Sequence, residues 1–467
     1  MPSSSDLVIL GAGPAGLAAA WRAARRGYSV TVLDRAPVVG GMAGSFEVDG
    51  VRVDHGSHRL HPATPPHLID ELRMLLGDDL QLRRRNGRLH LAGHWLGFPL
   101  RPAELVKTLP VPMMTRIGIE AAAAPLRRGR RADSYATALR ASLGRTLYDA
   151  LYAPYAVKLW GMSGECIDAE QARRRVSADT AWKIAARMLR RRPDGQGRLF
   201  YYPRRGFGQI VEALAEAATK AGADIRLGAE VERIQTSPGD GVTIGTATGA
   251  ELTGNQVFST LPLPVLARMT RPQPRLATVE ATTRLRFRAM VLVYATHAGG
   301  RWTGYDAHYL PGPESPVTRI SEPANYRDST DDPRDRSVVC AEIPCEAAGT
   351  DPVWRASDAE LGELVRDGAA RLGLPPLRLS GVTTKRLSHV YPVYEIGYQD
   401  SLRGVDTWAA ELPRVTTFGR LGLFVHDNTH HALAMAYDAV DALGTDGFDE
   451  LAWAAARARF ATHVVED

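Results

Sequence analysis

The sequence has few cysteines, few lysines and no long apolar run. Its three cysteines, Cys166, Cys340 and Cys345, are odd in number and lack metal-site spacing, so we expect reduced thiols in a cytoplasmic protein. No uninterrupted apolar stretch reaches the roughly 18 residues that a membrane-spanning helix needs. Because the first strand follows the N-terminal serines directly, we also expect no signal peptide. These features argue against disulfide-stabilised and membrane-spanning classes.

The positive charge of the chain comes almost wholly from arginine. Of the 57 basic residues only five are lysine, and the net charge is +5. An arginine bias spread along the whole chain is typical of high-GC coding. We therefore interpret the basic clusters as solvated faces, with steering of an anionic substrate as the alternative and no nucleic-acid partner. The clusters are Arg83–Arg85, Arg127-Arg128, Arg130-Arg131 and Arg190–Arg192.

One segment, from Leu109 to Arg131, combines apolar and basic residues. Pro-Val-Pro-Met-Met and four consecutive alanines precede its basic end. We expect an ordinary packed helix here. A peripheral membrane segment and a hydrophobic substrate channel are the alternatives.

The most informative segment is a glycine motif between two strands. A strand at 7–10 runs into Gly11-Ala-Gly-Pro-Ala-Gly16, an alanine-rich helix follows, and a second strand ends at Asp34. Gly11 permits a sharp turn, Gly13 lets the backbone approach a pyrophosphate, and Gly16 lets the helix pack closely on the sheet. The open amides at the helix start favour negative charge, and Asp34 stands where a carboxylate accepts hydrogen bonds from a ribose. This order of elements predicts a dinucleotide site.

A second glycine cluster follows the ribose carboxylate. Arg35 leads to Gly40-Gly-Met-Ala-Gly44, which gives the backbone another close approach to the ligand. A nicotinamide-binding domain does not need this cluster. The pattern resembles the flavin-dependent amine oxidase superfamily, which includes protoporphyrinogen oxidase-like enzymes, phytoene desaturases and UDP-galactopyranose mutases. The resemblance implies that the cofactor is FAD.

Later segments are similar to the same superfamily, so the resemblance covers nearly the whole chain. Tyr155-Ala-Val-Lys-Leu-Trp-Gly161 looks like its Y-x-x-K-x-W-G element. Thr260 resembles a strand end near the cofactor, and 427–431 resembles the C-terminal closure over the flavin. By this resemblance, and by the glycine motif, the residues expected at FAD are Gly11, Gly13, Ala15, Gly16, Asp34, Arg35, Gly41, Met42, Ala43, His58, Val231, Thr260, Gly419, Arg420, Asn428 and Thr429.

The predicted fold is α/β, with an α+β substrate domain. A Rossmann-like FAD-binding domain is expected from three discontinuous segments, 1–100, 200–270 and 411–467. Residues 101–199 are expected to form a helical insertion, and residues 271–410 a substrate-binding domain with a mixed sheet. The resemblance also places a closing, FAD-contacting strand at Gly422–Val425, followed by a helix that ends near Leu443.

Three histidines lie beside the expected flavin. The stretch from Asp54 to His61 resembles the glycine–histidine segment of protoporphyrinogen oxidase-like proteins and galactopyranose mutases. The i, i+3, i+6 spacing of its histidines could suggest a metal site, but Gly56 breaks a common face and no cysteine or carboxylate set accompanies them, so no metal is expected. We expect polar groups on the flavin or substrate side, with structural histidines as the alternative. His58 is the first catalytic candidate and His61 the second.

Two further segments are similar to elements that line the sugar-nucleotide pocket of the mutases. Arg319 could bind a phosphate or carboxylate in bidentate fashion, or form a structural salt bridge with Glu322. Tyr391 and Tyr394 could offer hydroxyl groups to a polar ligand, or pack beside Pro392.

One departure counts against a mutase. Ala178 stands where the mutases carry a substrate-binding arginine, although Arg175 could substitute for it.

The sequence therefore leaves three functions open. The leading hypothesis is a two-electron oxidation of a C–N, C–O or C–C bond in a small molecule, with the flavin carrying the redox chemistry and His58 or the 426–431 segment managing the proton. The alternatives are a redox-neutral nucleotide-sugar isomerisation by reduced flavin and a flavin-bound scaffold in a biosynthetic complex. A charged, hydroxyl-bearing substrate suits Arg319 and the tyrosines, including Tyr391, whereas a hydrophobic polyene suits the stretch 109–125. The oligomeric state stays open.

Overall fold

The computed structural model describes residues 3–124, 132–175, 199–237, 239, 241–444 and 447–465. Ala178, the position at which the mutase pattern has an arginine, lies outside the described residues, as do the basic clusters at 127–131 and 190–192.

Twenty-one strands are described. They are β1 (Ser3–Leu10), β2 (Val30–Asp34), β3 (Ser45–Val48), β4 (Val51–Asp54), β5 (Leu80–Arg84), β6 (Gly87–Leu91), β7 (His94–Phe98), β8 (Leu199–Pro203), β9 (Asp224–Leu227), β10 (Val231–Gln235), β11 (Val242–Thr246), β12 (Glu251–Ser259), β13 (Thr270–Arg271), β14 (Phe287–Ala298), β15 (Ala307–Tyr309), β16 (Arg319–Ser321), β17 (Arg336–Cys345), β18 (Leu379–Pro392), β19 (Val415–Thr417), β20 (Leu443–Gly444) and β21 (Gly447–Phe448).

The described α-helices are distributed along the whole chain. They span Pro14–Arg25, Pro66–Leu76, Pro102–Thr108, Val111–Ala122, Tyr135–Leu143, Arg145–Leu147, Ala153–Trp160, Ala169–Arg175, Gln209–Lys220, Leu263–Met269, Leu276–Thr283, Pro352–Arg355, Asp358–Arg371, Tyr398–Ala410, Gly419–Gly422, Thr429–Asp441 and Glu450–Phe460.

The first large sheet is the predicted dinucleotide-binding sheet. Its strand order is β13-β10-β11-β12-β1-β2-β9, and β19 pairs beside β12. β1 is parallel to both β2 and β12, and β9 extends the parallel part. Alternation along β1 directs Leu7 and Ile9 into the core shared with the helix Pro14–Arg25, and Val8 and Leu10 into the core on the other face. The apolar half of this strand, from Leu7 to Leu10, is therefore buried on both sides, as in a doubly wound sheet.

The predicted roles of two glycines in the turn after β1 follow from their surroundings. Gly11 has a φ of +112°, which only glycine adopts readily, and the chain turns there into the helix. A Cβ on Gly16 would overlap the carbonyl oxygen of Gly11. The close approach of helix and turn thus requires glycine at position 16.

Gly16→Ala is expected to lower the free energy of unfolding by about 1–3 kcal/mol, because the added methyl group overpacks this contact. Gly404→Ala is the matched control, since that helical glycine has no atom near its Cβ position and alanine should stabilise it by about 0.5–1 kcal/mol. Urea titration of both variants measures the difference. Equal stability of the two variants would contradict the packing role of Gly16.

Two hairpins are present, as the turn residues Asp49-Gly50 and the paired short strands at 87–91 and 94–96 predict from the sequence. Asp49 and Gly50, with φ of +50° and +78°, connect β3 to β4, and Ala92 and Gly93 connect β6 to β7 in the same way. Positive φ at both turn residues gives the twist that a two-residue hairpin requires. The second hairpin pairs through β15 with the second large sheet. It therefore lies apart from the dinucleotide-binding sheet, although the predicted boundary at residue 100 groups it with that sheet.

The second large sheet has the order β18-β14-β17-β16-β15-β6-β7 and mixes parallel and antiparallel pairs. Its strand β14, which lies between β18 and β17, is buried almost throughout. One face packs against the helix Asp358–Arg371, and the other against β3 and β4. The described part of 101–175 is mainly helical, as predicted.

Two local predictions are wrong. Gly422–Val425 is not a strand: the chain forms the short helix Gly419–Gly422 and a turn, and the strand beside β12 is β19. Positive φ at Gly419 and Phe424 prevents an extended chain there. The helix Val111–Ala122 is less packed than expected: Met113 and Met114 contact the apolar cluster around Leu109, but none of its residues is fully buried. Within the described ranges, no helix is both long enough and apolar enough to cross a bilayer.

Candidate active site

A cavity of about 610 Å³ opens at the carboxyl ends of the parallel strands β1, β2 and β12. This is the edge at which doubly wound sheets bind their ligands. All of the residues expected at FAD line this cavity except Gly16, whose role is packing. The lining residues from that prediction are Gly11, Gly13, Ala15, Asp34, Arg35, Gly41, Met42, Ala43, His58, Val231, Thr260, Gly419, Arg420, Asn428 and Thr429.

The backbone of the two glycine segments comes together on one side of the cavity. Gly40 donates its amide to the carbonyl of Ala12 at 2.8 Å, and the Cβ position of Gly41 lies 3.3 Å from Cα of Gly13. A Cβ on Gly13 would meet no protein atom within 4 Å, so the space beside it is open. The helix Pro14–Arg25 begins here without a side-chain cap. Its first amides are therefore available to a negatively charged group such as a pyrophosphate.

Asp34 organises the loop beside these amides. Its Oδ2 accepts the amide of Ala12 at 2.7 Å, and its Oδ1 accepts the amide of Ala36 at 2.8 Å. Each oxygen of a carboxylate has a further lone pair, so both can still accept from ribose hydroxyl groups. Asp34 thus fixes the turn and still offers acceptors to a ligand.

A second helix start faces the cavity from the C-terminal part of the chain. Asp427, Asn428 and Thr429 line it at the beginning of the helix Thr429–Asp441. Arg420 donates to the backbone carbonyl of Asp427 and holds this loop in place. The donor-rich backbone, the open space beside Gly13 and the acceptor Asp34 together fit a flavin dinucleotide.

A family model described as flavin containing amine oxidoreductase matches residues 14–432 of this chain. The chain belongs to this family of flavoproteins. Its cofactor is FAD, and the α/β fold predicted from the glycine motif and the superfamily resemblance is confirmed.

The proteins that this chain resembles include a mutase, found by structure comparison, and a dehydrogenase and a desaturase, found by sequence comparison. A solved structure of reduced UDP-galactopyranose mutase superposes with a TM-score of 0.81 at 21% identity, covering 100% of both chains. A phytoene dehydrogenase of Streptomyces griseus is 29% identical over 56% of this chain, and a 1-hydroxycarotenoid 3,4-desaturase of Flavobacterium sp. strain P99-3 is 44% identical over 15%. The matches span only 55% and 14% of those two relatives' own lengths.

The three histidines of the 54–61 segment of this flavoprotein have different surroundings. His55 Nδ1 hydrogen-bonds the carbonyl of Gly41 at 2.7 Å, and burial lowers the pKa of His55 to about 4. His58 lines the cavity and stacks on Phe207 with ring centroids 5.1 Å apart. His61 is outside the lining, and its Nδ1 accepts the amide of Ala63 in a local turn. The structure thus brings His58, but not His61, to the cofactor cavity.

The His58 imidazole is neutral at pH 7. Burial, reinforced by the positive charges of Arg420 and Arg319, lowers its pKa to about 3. The same holds in the 426–431 segment, where burial and the neighbouring His430 and His463 lower the pKa of His431 to about 2. These histidines can donate or accept hydrogen bonds, but they are weak proton acceptors.

Arg319 pairs with Glu342 and not with Glu322. Its Nη2 lies 2.7 and 2.9 Å from the two carboxylate oxygens of Glu342, and a third contact joins Nη2 to the carbonyl of Ser57 at 3.3 Å. Glu322 instead accepts the backbone amides of Trp302 and Thr303. The reason is register: β16 and β17 pair Arg319 directly opposite Glu342.

Glu342→Ala is expected to destabilise the holoprotein by about 3–5 kcal/mol, because it leaves the largely buried Arg319 guanidinium without its carboxylate. The double variant Glu342→Ala with Arg319→Met should recover much of that loss. Urea unfolding of the wild type, the single variant and the double variant checks both expectations. A single variant as stable as the wild type would show that the pair does not stabilise the fold.

Three half-buried arginines lie near one another at this end of the cavity, and we call Arg175, Arg319 and Arg420 the arginine cluster. Arg175 lies over the ring of Tyr391 at 4.9 Å, and Arg420 lies 5.8 Å from the same ring. Both Arg319 and Arg420 lie close enough to His58 to depress its pKa. Arg319 pairs with Glu342, and Arg420 donates to the backbone carbonyl of Asp427.

Tyr391 and Tyr394 differ in their surroundings. The Tyr394 hydroxyl donates to the carbonyl of Phe424 at 3.1 Å, and its ring stacks on Tyr398, so this residue is structural. Tyr391 stays half-buried beside Arg175, with Trp160 and the buried His426 nearby. Neither tyrosine lines the cavity, although the ring of Tyr391 lies 5.8 Å from the guanidinium group of the cavity-lining Arg420.

Sequence reasoning missed several residues around the site. Glu342 could have been identified from the sequence, because an acidic residue within an apolar stretch requires a buried partner. No sequence pattern pointed to Arg59, which forms an ion pair with the buried Asp306 at 3.0 Å and donates to the Tyr309 hydroxyl at 2.9 Å. The four residues from Arg386 to His389 line the cavity from β18, which the predicted domain boundaries assign to the substrate domain.

Proposed function

We propose that this flavoprotein removes two electrons from a small, polar, anionic molecule. The observation that carries the proposal is the pair of guanidinium groups, Arg319 and Arg420, whose charges act on the cavity-lining His58. Guanidinium groups bind carboxylates and phosphates in bidentate fashion.

FAD supplies the two-electron acceptor when bound. Arg175 and Arg420 would hold the anionic group of the substrate, while the Arg319–Glu342 pair fixes the backbone at Ser57, next to His58. Neutral His58 would accept a hydrogen bond from a substrate N–H or O–H and so orient it. Its depressed pKa makes it a poor store for the proton itself.

The same cluster argues against a carotenoid substrate, although relatives carry the names phytoene dehydrogenase and carotenoid desaturase. A polyene offers no hydrogen-bond acceptor to a guanidinium group, so it would desolvate positive charge near the cavity without any compensating polar contact. The helix Val111–Ala122, which a polyene channel would include under the alternative interpretation of this segment, does not line the cavity.

Ligand binding to the oxidised holoprotein tests the substrate class. Small carboxylates and phosphates are expected to perturb the visible flavin spectrum, whereas neutral isosteres are not. Arg175→Met should weaken the anion effect about tenfold or more, since hydrogen bonds to charged groups contribute about 1.5–3 kcal/mol. Arg145→Met, at a side chain that is 82% exposed, is the control. Perturbation by polyenes and not by anions would overturn the proposal.

A redox-neutral nucleotide-sugar isomerisation is the second candidate. Arg175 and Tyr391 suit a substrate with phosphates and hydroxyl groups, and Arg175 stands near the missing mutase arginine in the sequence. The test is conversion of a nucleotide sugar after reduction of the bound flavin with dithionite. Conversion that requires prior reduction favours the mutase, and no conversion in either state removes it.

A further inference from the structure

Two consecutive short helices, Pro102–Thr108 and Val111–Ala122, form an exposed hairpin at 102–122. Its outer side carries Val106, Val111 and Ile119, whose exposed fractions are 59%, 77% and 65%. Val111, Thr115 and Ile119 recur every four residues and therefore share one helix face. Large aliphatic side chains concentrated this way on a surface indicate an interaction site.

The opposite side of the exposed hairpin is anchored to the protein. Leu109 is buried, and Leu105, Met113 and Met114 pack with it against the leucines of β6 and β7. Because this inner side is packed against the protein, the side chains on the outer side point toward solvent.

The acidic and basic residues of the exposed hairpin lie on opposite sides of it. Glu104 accepts the backbone amide of Gly97 at 2.8 Å, and Glu120 accepts the amide and hydroxyl of Thr146 at 2.9 and 3.0 Å. Both carboxylates thus face the protein. Lys107 and Arg116 are exposed on the outer side, next to the aliphatic residues. The surface offered to a partner is apolar and positive.

We propose that the exposed hairpin docks on the surface of an anionic lipid bilayer. Aliphatic side chains would enter the acyl boundary while Lys107 and Arg116 contact the anionic headgroups. A second copy of the chain is a poorer partner, because a symmetric contact over this face would bury Lys107 and Arg116 of both copies while the carboxylates of Glu104 and Glu120 face the protein. The positive charge and the exposed aliphatic side chains therefore both favour an anionic bilayer as the partner.

Vesicle co-sedimentation of the holoprotein tests this proposal. Binding is expected to vesicles of phosphatidylcholine with phosphatidylglycerol, and much less to phosphatidylcholine alone. A triple variant, Val106→Ser, Val111→Ser and Ile119→Ser, should reduce binding at least about tenfold, because it removes most of the apolar area that enters the bilayer. The control is Leu276→Ser with Leu451→Ser, which changes two aliphatic residues that are equally exposed elsewhere, at 73% and 85%.

Charge variants test the electrostatic half of the proposal. Lys107→Gln and Arg116→Gln should each weaken binding to the anionic vesicles about fivefold. Lys220→Gln, at an exposed lysine far along the chain, should not. Binding that all variants share equally, or no vesicle binding, would overturn the proposal. So would a dimer in light scattering that the triple serine variant converts to a monomer, since the face would then join two subunits.

Discussion

Gly13→Val is expected to give a folded protein that binds FAD roughly tenfold to hundredfold more weakly than the wild type. The φ of Gly13, −84°, suits any L-residue, and no protein atom lies within 4 Å of its Cβ position, so valine fits the protein alone. The added side chain would instead fill the space where we propose that the pyrophosphate lies against the helix start. Overpacking of this kind costs about 1–3 kcal/mol, equivalent to roughly a tenfold to hundredfold loss of affinity.

The measurement for Gly13→Val is the flavin absorbance per protein after reconstitution, with circular dichroism as the check on folding. Gly404→Val is the control, because its Cβ position is equally open but lies on an exposed helix away from the cavity. Full FAD loading of Gly13→Val would show that the pyrophosphate lies elsewhere.

His58→Ala is expected to keep FAD and lose turnover about tenfold to hundredfold, the loss that follows from removing one orienting hydrogen bond of about 1–3 kcal/mol. His61→Ala should be unchanged, because its ring is engaged in a local turn outside the cavity. The pH profile separates this role from base catalysis. With a pKa of about 3, wild-type His58 should produce no acid limb near pH 6.5. A limb there that His58→Ala removes would make His58 the base.

The same shift in pKa has a consequence for stability. The pKa of His58 is about 3 in the folded state and 6.5 as its ordinary value, so between these values the unfolded chain binds a proton that the folded chain does not. Folding is therefore destabilised as the pH falls through that window. His58→Ala should lose less stability than the wild type between pH 6.5 and pH 4, which urea titrations at the two pH values measure.

The sequence predicted those features that depend on local residue pattern. The turn at Gly11, the packing of Gly16 and the hairpin at Asp49-Gly50 each follow from the backbone conformation or space that only certain residues allow. Features set by long-range pairing were less accessible. The partner of Arg319 depends on the register of β16 against β17, which a pattern three residues long cannot define.

The two local errors have a similar origin. Gly422–Val425 has the composition of a buried strand, but the chain reverses at Phe424. The segment 111–122 has the composition of a packed helix. Its exposure depends on how it packs against β6 and β7, and this long-range contact cannot be read from the local sequence. The proton-handling role expected for His58 was based on the ordinary pKa of histidine, which burial beside two arginines changes.

The most direct test of the proposed oxidation is an anaerobic titration of the purified holoprotein with small anionic amines and alcohols while the visible flavin band is followed. We expect an anionic substrate to bleach the band in a two-electron step, and its neutral isostere to leave the band unchanged. Failure of every such compound to reduce the flavin, together with nucleotide-sugar conversion only after dithionite reduction, would contradict the account and identify a mutase. If neither reaction is observed, the remaining hypothesis is that the protein is a flavin-bound scaffold without catalytic activity.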